Sequence, residues 1–175
     1  MKGVIVSCFE ELVKEKFGQD KWDEILDKVG IDKGKRVFLA TEDIDDAAVM
    51  NVLDKTCEVL DMSVNDVTDA FGDYWVNSYA PRFYKIYFNQ AHSAREFLLN
   101  MDNVHIATTK SIANAHPPRF EYEWKDDNTL IMTYKSERGL IDLFISLVKG
   151  VGKHYHEDLK VTKLDNKKVE IVFPS

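Results

Sequence analysis

Hydrophobic residues recur every three or four positions through the first part of the chain and then switch to alternation. Ile5, Phe9, Leu12, Val13 and Phe17 form a stripe at helical spacing that ends near Gly18. Asp20 opens a second run through Trp22, Ile25, Leu26 and Val29, closed by Gly30. A Gly/Lys loop and the brief apolar run Val37-Phe38-Leu39-Ala40 follow. The next helical period starts at Thr41 or Asp43 and carries Val49, Val52, Leu53, Cys57 and Leu60. Ser63, with Asp66 three residues later, resembles a weaker capping box for a helix bearing Val64, Val67, Phe71 and Trp75. Gly72 inside that helix marks a hinge or a point of close packing. Pro81 interrupts the pattern, and the spacing predicts one long helix over about 82–113, with Ala94, Leu98, Met101 and His105 on one stripe. His116-Pro117-Pro118 ends it, because a residue before proline is pushed out of the helical region.

Beyond that point the period becomes two. Phe120-Glu121-Tyr122-Glu123-Trp124 alternates apolar and acidic residues, Asp126-Asp127-Asn128 is a turn signal, and 130–134 returns as a partner strand. A helix with Leu140, Phe144, Leu147, Val148 and Val151 follows, then a second hairpin of 159–164 and 169–173 around Asp165-Asn166-Lys167. The pattern predicts an α+β fold: an N-terminal helical subdomain of about residues 1–62, then helices on a roughly four-stranded antiparallel sheet over about 63–175, within one domain of 175 residues. Composition narrows the function. Hydrophobic residues make up 45%, enough for a sizeable core, while a net charge of −7 argues against general nucleic-acid binding. No stretch reaches the roughly 20 apolar residues of a membrane span. The N-terminus turns acidic too early for a signal peptide, and Cys8 and Cys57 stand apart with no CxxC, as suits a reducing cytoplasm.

Two features carry chemistry. Tyr134, Ser136 and Arg138 alternate, so an extended run places a phenol, a hydroxyl and a guanidinium on one face, a set suited to an anionic group. On the triplet alone, the polar outer face of an antiparallel strand is the favoured reading. His105, on an apolar helix stripe, is by itself more often a satisfied core residue than a ligand. No carboxylate or second His follows at three or four residues, as a zinc or di-iron helix site requires. A single imidazole among apolar neighbours suits axial ligation of haem iron, and the donor triplet would then hold the haem carboxylates. His92, His154 and His156 lack a companion carboxylate at convincing spacing and read as solvated surface.

These residues bring the chain close to a known family. Met1-Lys2-Gly3, Glu42-Asp43-Ile44-Asp45-Asp46, Phe71-Gly72-Asp73-Tyr74-Trp75, Met101-Asp102-Asn103-Val104-His105, Pro117-Pro118-Arg119 and the Tyr-x-Ser-x-Arg motif at Tyr134, Ser136 and Arg138 occur in this order. The chain resembles, over nearly its whole length, the haem nitric oxide/oxygen-binding (H-NOX) domain related to the haem domain of soluble guanylate cyclase. The resemblance implies haem b (iron protoporphyrin IX) buried between the two subdomains, His105 as proximal iron ligand, and Tyr134, Ser136 and Arg138 on the propionates. It implies that Pro118 presses the porphyrin out of plane and that Met101 belongs to the haem-lining helix. Ile5, Phe9, Leu147 and Trp75 match distal positions, and Asp45 or Asp46 is implied as a partner of Arg138. Oxygen-binding members carry a tyrosine where this chain has Leu143, so the resemblance implies nitric oxide, and also carbon monoxide, over oxygen.

In family terms, nitric oxide weakens the bond to His105, strain at Pro118 relaxes, and the helix carrying His105 shifts about a pivot at Gly72. A partner reads the shift: a histidine kinase, a cyclic-di-GMP enzyme or a fused chemotaxis receptor. Two other readings stay open: an oxygen sensor using Trp75 or a tyrosine such as Tyr74 as distal donor, and a haem-free interaction module. No nucleophile–base pair or phosphate loop points to an enzyme.

Overall fold

Glycine ends the first two helices where the hydrophobic stripe predicts. In the computed structural model, which describes residues 1–32 and 36–174, helix α1 (Gly3–Phe17) stops at Gly18, whose φ is +96°. Helix α2 (Gln19–Val29) stops at Gly30 in the left-handed region, where a Cβ would be strained. Gly18 also caps the start of α2, so Asp20 lies within the first turn and is not the cap. Val6, Phe9, Leu12 and Val13 of α1 and Trp22, Ile25 and Leu26 of α2 are buried.

The Gly/Lys loop falls on residues 33–35, outside the described residues. The run 37–40 forms no regular element, and Val37 and Leu39 are exposed. Its backbone oxygens serve the start of α1 instead. Lys2 offers that helix no side-chain cap, and Ala40 and Phe38 accept from the Val4 N–H (3.0 Å) and the Ser7 hydroxyl (3.2 Å). Helix α3 (Asp46–Leu60) begins later than Thr41 or Asp43, because the Asp45 carboxylate caps it by accepting from the N–H groups of Ala47 and Ala48. Helix α4 (Val64–Tyr74) opens on the expected box: Ser63 Oγ accepts from the Asp66 N–H at 3.1 Å, and Asp66 accepts from the Ser63 N–H at 3.3 Å.

Trp75 opens a π-helical turn (Trp75–Tyr79) that leads into α5 (Ala80–Gln90). Pro81 therefore does not interrupt a helix. It occupies a first-turn position, where its missing N–H leaves no bond unmade. The long helix expected over 82–113 is three helices: α5, α6 (Ala94–Leu99) and α7 (Met101–Thr109). Ser93 makes the first break by accepting from the Glu96 N–H (3.1 Å), while the Glu96 carboxylate accepts from the His92 N–H (2.8 Å). Asn100 makes the second, its N–H shared between the carbonyls of Glu96 and Phe97 at 3.2 Å each.

Strands β1 (Arg119–Trp124) and β2 (Thr129–Lys135) form a hairpin, α8 (Ile141–His154) follows, and β3 (Lys160–Lys163) and β4 (Lys168–Val172) form the second hairpin. The sheet is antiparallel and four-stranded in the order β1-β2-β4-β3, which is the α+β arrangement expected. Phe120, Met132, Tyr134, Val169 and Ile171 from the sheet share a core with Phe97 and Leu98 of α6 and Phe144, Val148 and Val151 of α8. Burying each such side chain fully contributes about 1.5–3 kcal/mol before entropy is counted. The chain divides into two compact units, Met1–Phe71 and Gly72–Ser175, with the division inside α4.

Candidate functional site

The break at Asn100 is what makes α7 a separate, short helix, and that helix carries His105. Val104 is its only fully buried residue, so apolar packing alone holds it weakly. Polar bonds to the start of β1 hold the rest. The Asp102 carboxylate takes both Nε and Nη2 of Arg119, at 2.7 and 2.6 Å, and accepts from the Phe120 N–H at 3.1 Å. The Asp102 N–H, which has no partner within its own first turn, donates to the Tyr122 hydroxyl at 3.3 Å. The Arg119 guanidinium, first among these, pulls the Asp102 carboxyl down to about 2.

His105 follows one turn later. Its Nδ1 lies 3.1 Å from the carbonyl oxygen of Pro118. A carbonyl can only accept, so this bond places the imidazole proton on Nδ1 and leaves the lone pair on Nε2. Burial pushes the His105 pKa down, against the opposing pull of the Pro118 carbonyl and Asp102, which favours the neutral form a metal needs. The ring packs 5.6 Å from Phe120, which stacks on Phe144 at 5.0 Å; Phe144 stacks on Tyr134 at 5.6 Å. Among the described residues no three His, Cys, Asp or Glu converge as a metal cluster. One neutral imidazole with a fixed tautomer beside an aromatic wall fits a macrocyclic iron better than a bare ion.

The donor triplet is built differently from the flat face the alternation predicts. Strand β2 ends at Lys135, opposite Arg119, so Ser136 and Arg138 lie in the turn beyond it. Tyr134 points into the core, buried against Phe120 and Phe144, and is not part of a polar outer face. Pro118 precedes Arg119 on the outer edge of β1, where an N–H would face away from β2, so proline is tolerated there. The chain then turns: Ser136 Oγ accepts from the Arg138 N–H at 3.3 Å, and Gly139 has a φ of +65°. Arg138 Nη1 donates to the carbonyl of His116 at 2.7 Å. Arg138 is thereby tied to the segment that contains Pro118.

Helix α8 presents Leu143 and Leu147 four residues apart on one side, both half-buried, next to the buried Phe144 and Val148. Leu147, Met101 and Trp75 pack against the core cluster, with Trp75 stacked on Tyr79 at 5.5 Å. Tyr74 is buried at the end of α4. Ile5 and Phe9 belong to the N-terminal unit, where Phe9 stacks on Phe71 at 4.6 Å. Asp45 is occupied as the α3 cap, and Asp46 takes the Met1 ammonium. At Gly72 a Cβ would lie 2.5 Å from the Ser146 carbonyl carbon and oxygen, so close packing against α8 accounts for this glycine. Sequence reasoning missed Asp102, Arg119 and Tyr122. Asp102 and Arg119 are 17 residues apart, and no local pattern joins them.

Comparison with known proteins gives a consistent result. The family described as Haem-NO-binding matches residues 2–163. The soluble guanylate cyclase gcy-32 of Caenorhabditis elegans is 26% identical over 166 residues, 93% of this chain and 24% of that protein. Its relative gcy-34 is 26% identical over 87% of this chain and 23% of its own length. The chain thus spans about a quarter of the length of the curated relatives it matches. Among solved structures, an oxygen-binding H-NOX domain related to soluble guanylate cyclases, in its oxygen complex, superposes with a TM-score of 0.81 at 30% identity, covering 100% of this chain and 96% of that one. An H-NOX protein from S. oneidensis in the Fe(II)NO state superposes with a TM-score of 0.87 at 18% identity over 100% of both chains, a likeness of fold alone.

Proposed function

The chain belongs to the haem-NO-binding family and is an H-NOX domain, a haem-binding gas-sensor domain; from that premise we propose that it senses nitric oxide through haem b held by His105. The observation that carries the reading is the bond from His105 Nδ1 to the Pro118 carbonyl, which aims a neutral Nε2 as a ligand. When bound, ferrous haem would supply an iron able to take a diatomic gas.

The chain's own residues do the rest. Tyr134, Ser136 and Arg138 hold the propionates: the Ser136 oxygen accepts from the Arg138 N–H, so its hydroxyl proton is left to donate, and the guanidinium keeps its charge at every physiological pH. Leu143 and Leu147 present only hydrocarbon on the distal side. A hydrogen-bond donor on that side would favour oxygen, and these two side chains offer none. The Leu143 side chain therefore selects nitric oxide and carbon monoxide over oxygen. A force on His105 is transmitted to Pro118 through the Nδ1 bond, and α7, anchored by one buried apolar residue, is the element that moves. A histidine kinase, a cyclic-di-GMP enzyme or a fused chemotaxis receptor reads that movement in the cytoplasm. No helix among the described residues is long and apolar enough to cross a membrane. Guanylate cyclase activity is named for the full-length relatives, and the role proposed for this chain is sensing without catalysis.

Absorption spectra of the ferrous protein with nitric oxide, carbon monoxide and air test the reading. The expected result is a nitric oxide and a carbon monoxide complex, with no stable oxygen complex. A stable oxygen complex would overturn the selectivity and favour Trp75 or a tyrosine as donor, and an absent Soret band after expression with ample haem would favour a haem-free module. His105→Gly should lose haem unless imidazole is supplied; unchanged retention would remove His105 as ligand.

A further inference from the structure

We propose that Asp102 and Arg119 act as a positioning clamp that fixes the direction of the His105 ring and resists its displacement. The inference rests on His105 being the ligand, as above, but its geometry stands independently. Helix α7 has nine residues and only Val104 fully buried, so its apolar hold is small. Four polar bonds tie it to residues 118–122: the Arg119 Nε and Nη2 bonds to Asp102 (2.7 and 2.6 Å), the Phe120 N–H to Asp102 (3.1 Å), and the Asp102 N–H to the Tyr122 hydroxyl (3.3 Å). All converge on one residue in the first turn of α7. His105 lies one turn on and bonds Pro118, the residue before Arg119. The clamp and the ligand bond thus bridge the same helix to the same stretch of strand. Releasing the clamp frees the helix N-terminus to pivot and lengthens the Nδ1 bond that sets the tautomer.

The pairing is also specific in form. A guanidinium fork meets both carboxylate oxygens only in one orientation, so the pair fixes angle as well as distance. A lysine at position 119 would keep the charge and lose the angle. Arg119 is 55% exposed and Asp102 20% exposed, so neither is needed to fill the core. Loss of the pair should alter the site more than the fold.

The test uses the full chain as Asp102→Asn, Arg119→Gln and Arg119→Lys, with Lys135→Gln as a control that removes a different surface pair of the same hairpin, Lys135–Glu121. In haem-free protein, nitrogen-15 NMR of the His105 ring and amide exchange over 104–109 are measured. The expected result is a mixture of ring tautomers and about tenfold faster exchange in α7 for Asp102→Asn and Arg119→Gln, as fits loss of a charge-assisted bond. Arg119→Lys should fall between, and Lys135→Gln should match the parent. In haem-loaded protein, transfer of haem to an acceptor globin should quicken by about the same factor. A fall in melting temperature with unchanged tautomer and α7 exchange would overturn the clamp. If the parent binds haem without His105, the function proposed above fails, while the haem-free measurements still decide the clamp.

Discussion

Replacing Gly72 by alanine separates two accounts of that residue by the sign of the effect. As a pivot in a helix, glycine is a weakness: alanine would gain about 0.8–1 kcal/mol of helix propensity and stabilise the protein. As a contact point, it is a necessity. The added Cβ would sit 2.5 Å from the carbonyl carbon and oxygen of Ser146 and 2.9 Å from the Leu147 nitrogen, all backbone atoms that cannot rotate away. Gly150 meets the same crossing from α8, its own Cβ position 2.6 Å from the Gly72 oxygen. Ordinary contact requires the backbones to part by about 1 Å, and overpacking of this kind costs about 2–3 kcal/mol. Less the propensity gain, Gly72→Ala should lose about 1–2 kcal/mol, a fall of roughly 2–8 °C in melting temperature for a chain this size. Thermal unfolding of the haem-free protein followed by circular dichroism measures it. Gly150→Ala should cost a similar amount, and the double variant less than the sum, since the helices part only once. An unchanged or raised melting temperature for Gly72→Ala would refute the packing account and restore the pivot.

Two further outcomes are expected. If Leu143 faces the gas as proposed, Leu143→Tyr should produce an oxygen complex stable in air, a gain of about tenfold or more in oxygen affinity from one hydrogen bond; an unchanged spectrum in air would show that Leu143 does not face the gas. Bonds from Lys28 and Lys55 draw the Glu58 carboxyl down to about 2, so its contribution to stability is present above the ordinary glutamate range and is lost as pH falls toward 2. Glu58→Gln should flatten the acid limb of stability between about pH 4 and 2, less so in 1 M salt because the group is exposed; an identical acid limb in both proteins would dismiss the pair.

Much of the fold was legible because its signals are local. The stripes of α1 and α2, the glycines that stop them, and the Ser63–Asp66 box each lie within a few residues of the structure they specify. The long helix failed because its stripe keeps phase across two breaks. Ala94 and Leu98 belong to α6, Met101 and His105 to α7, and the intervening Asn100 keeps helical backbone angles, so the spacing looks continuous. The first break did carry a signal: Ser93 followed three residues on by Glu96 is a capping box in the sequence. Proline at position 81 misled for a related reason. A proline both ends and begins helices, and only the neighbouring turn decides which. The contact of Gly72 with Ser146 and the pairing of Asp102 with Arg119 are tertiary facts with no local trace.

The site motif was readable as an order of residues, but its geometry comes from the outer edge of β1 and the turn after β2. The β1–β2 register pairs Arg119 with Lys135, so the next position in the ladder would match Pro118 with Ser136. That pair would not be a hydrogen-bonded one: the Phe120 N–H, of the same parity as position 118, points away from β2 to Asp102, so β1 needs no N–H toward β2 at Pro118. Beyond Lys135, residues 136–138 turn, with the Arg138 N–H on Ser136 Oγ and the guanidinium on the His116 carbonyl. The Pro118 carbonyl, on the outer edge of β1, accepts from His105. The outer edge of β1 thus carries both ties to α7, the Phe120 N–H on Asp102 and the Pro118 carbonyl against His105. Alternation along the chain suggested that Tyr134, Ser136 and Arg138 share a face of a strand. They are brought together because the strand stops after Lys135, leaving a buried phenol behind and two polar groups in the turn ahead.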